Sequence, residues 1–216
     1  MTQRLALVVL AGGTSRRWGG QDKTAADLLG RPVLARVLDG ALQALAADHP
    51  ELPAVVVADP DHAARELIRE RWPQLRWTRE VPARGGPVAG LAAGLRALGG
   101  SCDLVAVLAG DLPFAGPAIA RLAAALGPAG RDDAVVGLDP SGRRQPLLAV
   151  YRVPALQDAL DRVSSTPPGA GSERGPALRD ALDRLVLREC PVSAQEALDL
   201  DTPEQLDDAT RLLGQG

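Results

Sequence analysis

Three short runs constrain this chain most. Residues 5–10 (LALVVL), 54–58 (AVVVA) and 104–108 (LVAVL) are continuously apolar and of strand length. A strand with one wet face alternates in polarity; one apolar throughout is buried on both faces, as in a parallel sheet covered by helices. Helical spacing fills the gaps between them. Pro32 opens a helix as a first-turn proline, with Leu34, Leu38, Leu42 and Leu45 on one face. Residues 59–72 read as a second helix and 75–78 as a short strand. A Gly- and Pro-containing loop over 80–87 leads into a small-residue helix over 88–98. This strand–helix rhythm, held over roughly the first 140 residues, is that of βαβ units and predicts an α/β fold with a parallel sheet.

The pattern then changes. A helix is expected over 117–126, strands over 133–138 and 146–151, and a helix over 154–163. The stretch 164–175 (SSTPPGAGSERG) has the composition of a flexible loop. Residues 176–184 read as helical and 185–187 as a short strand. Thr202-Pro203-Glu204-Gln205 is a helix start, with Thr as cap, Pro in the first turn and Gln closing a capping box. That helix runs to Leu213. No composition shift divides the chain, and 216 residues favour a single α/β domain over 1–216.

Composition excludes several functions. Aromatic residues are 2% of the chain, so the core is built from Ala, Leu and Val, which disfavours a β-sandwich. The 24 basic and 27 acidic side chains give a net charge of −3, without the basic excess of a nucleic-acid binder. Cys102 and Cys190 lack metal-ligand spacing and read as small buried hydrophobes. His49 and His62 fall in polar helix-end contexts with no ligand cluster around them. The first residues lack the pattern of a secretory signal. No apolar run approaches the ~20 residues of a membrane span. A cytoplasmic protein is expected. Of the basic residues 23 are arginine, and Lys23 is the single lysine. Keeping one compact ammonium among so many planar guanidinium groups points to a site that needs it.

Lys23 ends the most informative segment, Leu10-Ala11-Gly12-Gly13-Thr14-Ser15-Arg16-Arg17-Trp18-Gly19-Gly20-Gln21-Asp22-Lys23. It follows a buried strand, and in open parallel sheets ligands bind beyond the strands' carboxyl ends. Glycines there let backbone N–H groups approach phosphate closely. The segment has neither the Walker spacing nor the G-x-G-x-x-G of dinucleotide sites. It holds four glycines, two arginines and a lysine, a charge suited to polyphosphate.

This segment resembles the L-A-G-G-x-x-x-R-M-G-G-x-D-K signature of the molybdenum cofactor guanylyltransferase family. Trp18 stands where that signature has Met. Gly86-Pro87-Val88-Ala89-Gly90 is similar to the family's G-P-L-A-G; an ordinary turn capping a helix is the alternative. Asp111, in Ala-Gly-Asp-Leu-Pro, resembles a Mg²⁺-binding element of this fold; capping of the next helix is its alternative. Asp199-Leu200-Asp201-Thr202-Pro203-Glu204 resembles D-x-D-T-P-E-D. Asp201, or Asp199, is a candidate to complete the metal site, and a dipole interaction at the helix start is the other role open to Asp201.

The resemblance implies a Rossmann-like nucleotidyltransferase fold with a mostly parallel central sheet flanked by helices. It also implies a nucleotide-binding part over about 1–115, and an acceptor-binding part over about 116–216. The implied reaction is transfer of GMP from GTP to molybdenum-bearing molybdopterin, with Mg²⁺ as cofactor. Arg17, Lys23 and Asp111 would be catalytic. Leu10, Ala11, Gly12, Gly13, Lys23, Glu80, Gly86, Pro87 and Asp111 would bind the nucleotide. Glu80 stands six residues before Gly86, where the family's guanine-contacting acid stands about seven before; Arg79 occupies the seventh place. Arg143 and Arg144 either meet the acceptor's phosphate or are hairpin-turn charges. The family's Asn after the second strand is absent, as is Asn from the whole chain. Molybdenum cofactor insertion proteins are the implied protein partners. The alternatives are a cytidylyl- or sugar-nucleotide transferase of the same fold, or a catalytically silent nucleotide-binding module.

Overall fold

The structure is a computed structural model and describes residues 3–12, 18–19, 21–83, 85–100, 102–128, 130–164 and 178–214. The first apolar run is strand β1 (Leu5–Leu10), followed by helix α1 (Val33–Ala46), β2 (Ala54–Val57) and α2 (Arg65–Arg71). Next come β3 (Arg76–Thr78), α3 (Gly86–Leu98), β4 (Leu104–Ala109) and α4 (Gly116–Ala125). The hairpin strands β5 (Ala134–Leu138) and β6 (Arg144–Arg152) precede α5 (Val153–Ser164) and α6 (Leu178–Leu182). Strand β7 (Leu187–Pro191) and helix α7 (Pro203–Gly214) complete the described elements. The strands form one sheet in the order β3-β2-β1-β4-β6-β5-β7. Only β6 runs against its neighbours, β4 and β5, so the sheet is mixed but mostly parallel.

The unbroken apolarity of the strands has the expected cause. Successive strand residues face opposite sides, and both sides of this sheet are covered. Leu5, Leu7 and Val9 of β1 join Leu104, Ala106 and Leu108 of β4 in a core with α1, α2, α4 and α7. Ala6, Val8, Val105 and Val107 face the other way, into a core with α3, α5 and α6.

Local departures from expectation have physical reasons. Pro32 is the N-cap of α1, with extended backbone (φ −56°, ψ 141°), rather than a first-turn residue. Helix α2 starts six residues later than its periodicity suggests. The amide of Ala64 bonds to Nδ1 of His62 at 3.1 Å, and His62 N–H donates to Asp59 O at 3.1 Å. A side chain that captures a nearby amide offers the backbone an alternative to helix. The last strand lies at 187–191 instead of 185–187, because Leu185 N–H closes the turn after α6 on Leu182 O. Most of the loop expected over 164–175 lies outside the described residues. No helix among the described residues is long and apolar enough to cross a membrane.

The topology positions the site. Leu10 pairs with Val57 on one side and Ala109 on the other, and Val57 pairs with Thr78, so β1 to β4 end along one edge. Strands β2 and β3 extend from one side of β1, and β4 lies on the other. The winding therefore reverses between β1 and β4, where open α/β sheets hold ligands.

The segment from β7 to α7 crosses toward that edge. Val192 N–H bonds to Leu138 O at 3.0 Å, and Leu200 is fully buried. Glu196 accepts both guanidinium nitrogens of Arg121 in α4 (2.7 and 2.9 Å) and the amide of Ser193 (2.9 Å). The Arg121 bonds, which outweigh partial burial, hold the Glu196 carboxyl down to about 2.

This packing has measurable consequences. Ile119→Ala opens a void under the sheet at a fully buried position and should destabilise by about 2–5 kcal/mol in denaturant unfolding. Leu67→Ala, on the exposed side of α2, should change stability by no more than about 0.5 kcal/mol. Because the Glu196 value is depressed on folding, its contribution is present above the ordinary glutamate range. It is lost as pH falls from 4.5 to about 2. Thermal unfolding followed across that window should show Glu196→Gln losing less stability than the parent.

Candidate active site

The site begins where β1 stops. Ala11 N–H donates to Val57 O at 2.8 Å, so the chain leaves the sheet at Gly12. Gly13 and Arg17, both expected in the site, lie outside the described residues. The chain is described again at Trp18, whose indole N–H donates to Leu200 O at 3.2 Å. Asp22 then caps a single 3-10 turn, Lys23–Ala25: its Oδ1 accepts the Thr24 amide (2.9 Å) and hydroxyl (2.7 Å). A side-chain oxygen that satisfies the first free amide of a turn sets the direction in which that turn leaves.

Lys23 points from this turn between two carboxylates. Its Nζ lies 2.5 Å from Asp111 Oδ2 and 2.5 Å from Asp201 Oδ1. The three groups come from positions 23, 111 and 201, so only folding assembles them. The Lys23 side chain is 19% exposed and that of Asp111 is 11%. Burial alone would push the ammonium's pKa down; the facing Asp111 and Asp201 charges outweigh it and raise it.

Asp111 is held by backbone close approach. Gly110 N–H donates to Leu10 O at 2.8 Å, and a Cβ on Gly110 would stand 3.0 Å from Ala11 Cβ and 3.1 Å from Leu10 O. Glycine is what lets the end of β4 fold onto the end of β1. Asp111 O accepts the Leu200 amide at 3.1 Å. Helix α4 begins at Gly116 with no side-chain cap, so Asp111 is not its cap. Its Oδ1 is buried and makes no hydrogen bond among the described residues. A buried acceptor left unmatched costs roughly 1–3 kcal/mol.

Asp201 precedes α7, whose capping box is closed: Gln205 Oε1 accepts the amides of Asp201 (2.8 Å) and Thr202 (2.9 Å), and Gln205 N–H reaches Thr202 Oγ1 (3.4 Å). The helix start is served without the Asp201 carboxylate, which goes to Lys23. Asp199 titrates upward, first because it is partly buried and next because the Asp201 and Asp111 charges oppose its ionisation. Among the described residues no group of three or more His, Cys, Asp or Glu side chains is placed to hold a metal. The converging pair Asp111 and Asp201 is a smaller donor set of hard oxygens.

Glu80, after β3, reaches the same edge from the other side of β1. Its Oε2 lies 3.9 Å from where a Cβ on Gly90 would stand, a point that is 3.3 Å from Leu10 Cδ2. Arg79 is exposed and Glu80 is half-buried, which favours Glu80 over its neighbour as the residue facing the edge. Gly86 starts α3 at φ +80°, and Pro87 follows in the first turn. Arg143 and Arg144 belong to the β5–β6 hairpin, where Arg143 pairs with Asp139 (3.5 Å) and Arg144 with Glu189 on β7 (2.7 Å). Both guanidinium groups are exposed, Arg143 beside the hairpin turn and Arg144 as the first residue of β6.

Two residues of the site region were not legible as such. Trp18 ties the loop to Leu200, whereas the sequence offered only an apolar replacement for Met. His62 is buried, with Nε2 2.8 Å from Thr24 Oγ1 and 3.0 Å from Asp22 Oδ2. Burial opposes the Asp22 charge, but the hydrogen bonds from His62 and Thr24 prevail and lower its pKa. The one sequence signal for His62 is its place just after a buried strand whose end lies on the ligand edge.

Comparison with known proteins identifies the family. The family profile of the MobA-like NTP transferase domain matches residues 7–183. A molybdenum cofactor guanylyltransferase of Shewanella amazonensis is 26% identical over 217 residues, covering the whole of both chains. One of Mesorhizobium japonicum is 35% identical over 168 residues, 74% of this chain and 72% of its own. The crystal structure of molybdopterin-guanine dinucleotide biosynthesis protein A from Archaeoglobus fulgidus superposes with a TM-score of 0.69 at 23% identity. It covers 98% of this chain and all of the other. With the profile spanning most of the chain, this protein belongs to the MobA-like NTP transferase family.

Proposed function

We propose that this protein transfers GMP from GTP to molybdenum-bearing molybdopterin, releasing pyrophosphate. The observation that carries the reading is the convergence of Lys23, Asp111 and Asp201 at the point where the sheet's winding reverses, with Glu80 across the edge. In this reaction an acceptor phosphate oxygen attacks the α-phosphorus of GTP in line. The bond to the β-phosphate oxygen breaks, and the pair of electrons leaves with pyrophosphate. Such chemistry asks a protein chiefly for positioning and charge neutralisation.

The chain's own residues supply both. The Lys23 ammonium, kept protonated by its carboxylate neighbours, is a compact charge for phosphate oxygens; Arg17 would add a planar one. Gly12 and Gly13, lacking side chains, would let backbone amides approach the phosphates. Glu80 would accept from the N1–H and 2-amino groups of guanine, donors that adenine and cytosine do not present in that pattern.

The residues present also fit Mg²⁺. Asp111 has one oxygen on Lys23 and one buried and unmatched, and Asp201 stands beside it. One or two carboxylates completed by substrate phosphates is the donor set Mg²⁺ prefers. When bound, the ion would screen the α-phosphate and the departing pyrophosphate. Asp111 would hold it, with Asp201 as second ligand. A cytosolic reaction on two small molecules is the setting this implies.

Pyrophosphate release measured with GTP, CTP, ATP and UTP, each with Mg²⁺ and with or without molybdopterin, tests the reading. Release is expected with GTP and molybdopterin together; release with another nucleotide would overturn the guanine assignment, and none with any would overturn the proposed reaction. Lys23→Ala and Asp111→Asn should each lower turnover at least ~10²-fold, the scale of a lost charge stabiliser. Lys23→Arg should not restore it, since a planar fork does not replace a point charge between two carboxylates. Glu80→Gln should weaken GTP use by roughly 10- to 100-fold, the worth of a charge-assisted hydrogen bond, with little effect on the use of CTP.

A further inference from the structure

We propose that His62 is a positioning residue for Lys23: from the turn after β2 it clamps Asp22 and Thr24, the two residues flanking Lys23, and so aims the ammonium. The inference deepens the reading above and rests on it only for the catalytic consequence.

The geometry leaves the ring little freedom. The His62 side chain is fully buried. Its Nδ1 accepts the Ala64 amide at 3.1 Å, so the ring proton belongs on Nε2, an assignment that follows from the hydrogen-bond network. The Thr24 hydroxyl spends its own proton on Asp22 Oδ1 at 2.7 Å. Its lone pairs then face His62 Nε2 at 2.8 Å, with Asp22 Oδ2 a second acceptor at 3.0 Å. One N–H thus bridges the side chains on either side of Lys23. The Trp77 ring, 6.0 Å away centroid to centroid, walls the imidazole on the β3 side. Asp22 is also the cap of the 3-10 turn that carries Lys23. A lysine stem has four rotatable carbons, and where its ammonium sits depends on how firmly its backbone is held. The clamp further links the signature loop to the end of β2, the strand next to β1 in the sheet.

Lys23 is the single lysine of the chain, so lysine labelled with ¹³C at Cε yields one side-chain resonance that reports its setting directly. In His62→Leu, which fills the space without a donor, that resonance should move or broaden, and turnover should fall by roughly 10- to 100-fold, as for a misplaced group. His62→Gln, whose amide nitrogen can stand where Nε2 stood, should return both toward the parent; His62→Asn, whose nitrogen stands at the Nδ1 place, should not. Losses should not multiply: Lys23→Ala should cost less in the His62→Leu background than in the parent, because both act through the same ammonium. An unmoved Lys23 resonance in folded His62→Leu overturns the proposal, as do losses that multiply. Should His62→Leu fail to fold, Asp22→Asn reads the same clamp from its half-exposed side and must shift the resonance for the proposal to stand. A parent chain that releases no pyrophosphate would refute the function proposed above, while the resonance still decides the clamp.

Discussion

The ammonium of Lys23 between Asp111 and Asp201 is the interaction on which the ligand edge depends. Without it two carboxylates would face each other across a partly buried gap, where like charges repel. With it, three segments distant in sequence share one charge balance. The balance is incomplete, since Asp111 keeps one buried oxygen unmatched. A protein interior rarely tolerates this except where a ligand completes the set. The same place that costs stability is therefore the place to which the proposed chemistry is assigned.

Backbone contacts bring those charges together before any side chain does. The register of β1 with β4 sets Ala11 beside Gly110, and glycine permits the contact. Leu200 hangs its amide on Asp111 O and takes the Trp18 indole on its own carbonyl, so one buried leucine stitches loop, strand end and helix start. The capping box of α7 serves its own amides, and the Asp201 carboxylate turns to Lys23. Much of the positioning is thus done by backbone and neutral groups, with Asp22 and the Arg121–Glu196 pair as charged supports.

Much of this was legible. Runs such as LALVVL read as doubly buried strands because no polar residue interrupts them, and the sheet has them in its interior. Asp111 and Lys23 stood out through residue type and spacing. Other features were not legible, because their partners are far away in the chain. The periodicity of 59–72 suggested a longer helix, since nothing local shows that His62 would turn its Nδ1 onto the Ala64 amide while its other nitrogen served Asp22 and Thr24. Arg143 and Arg144 read equally as acceptor ligands or as hairpin-turn charges, and only the folded sheet sets Asp139 and Glu189 beside them.

By itself the sequence determined which strands are buried on both faces, that they alternate with helices, and which residue types stand at their carboxyl ends. These are properties of periodicity and local turn chemistry, which act over a few residues. Only the tertiary structure decided that Lys23 takes both Asp111 and Asp201, that Glu80 rather than Arg79 faces the edge, and that His62 is a clamp rather than a helix-end residue. Those outcomes depend on side chains brought together by sheet order, and a contact across tens of residues leaves no periodic trace in one chain.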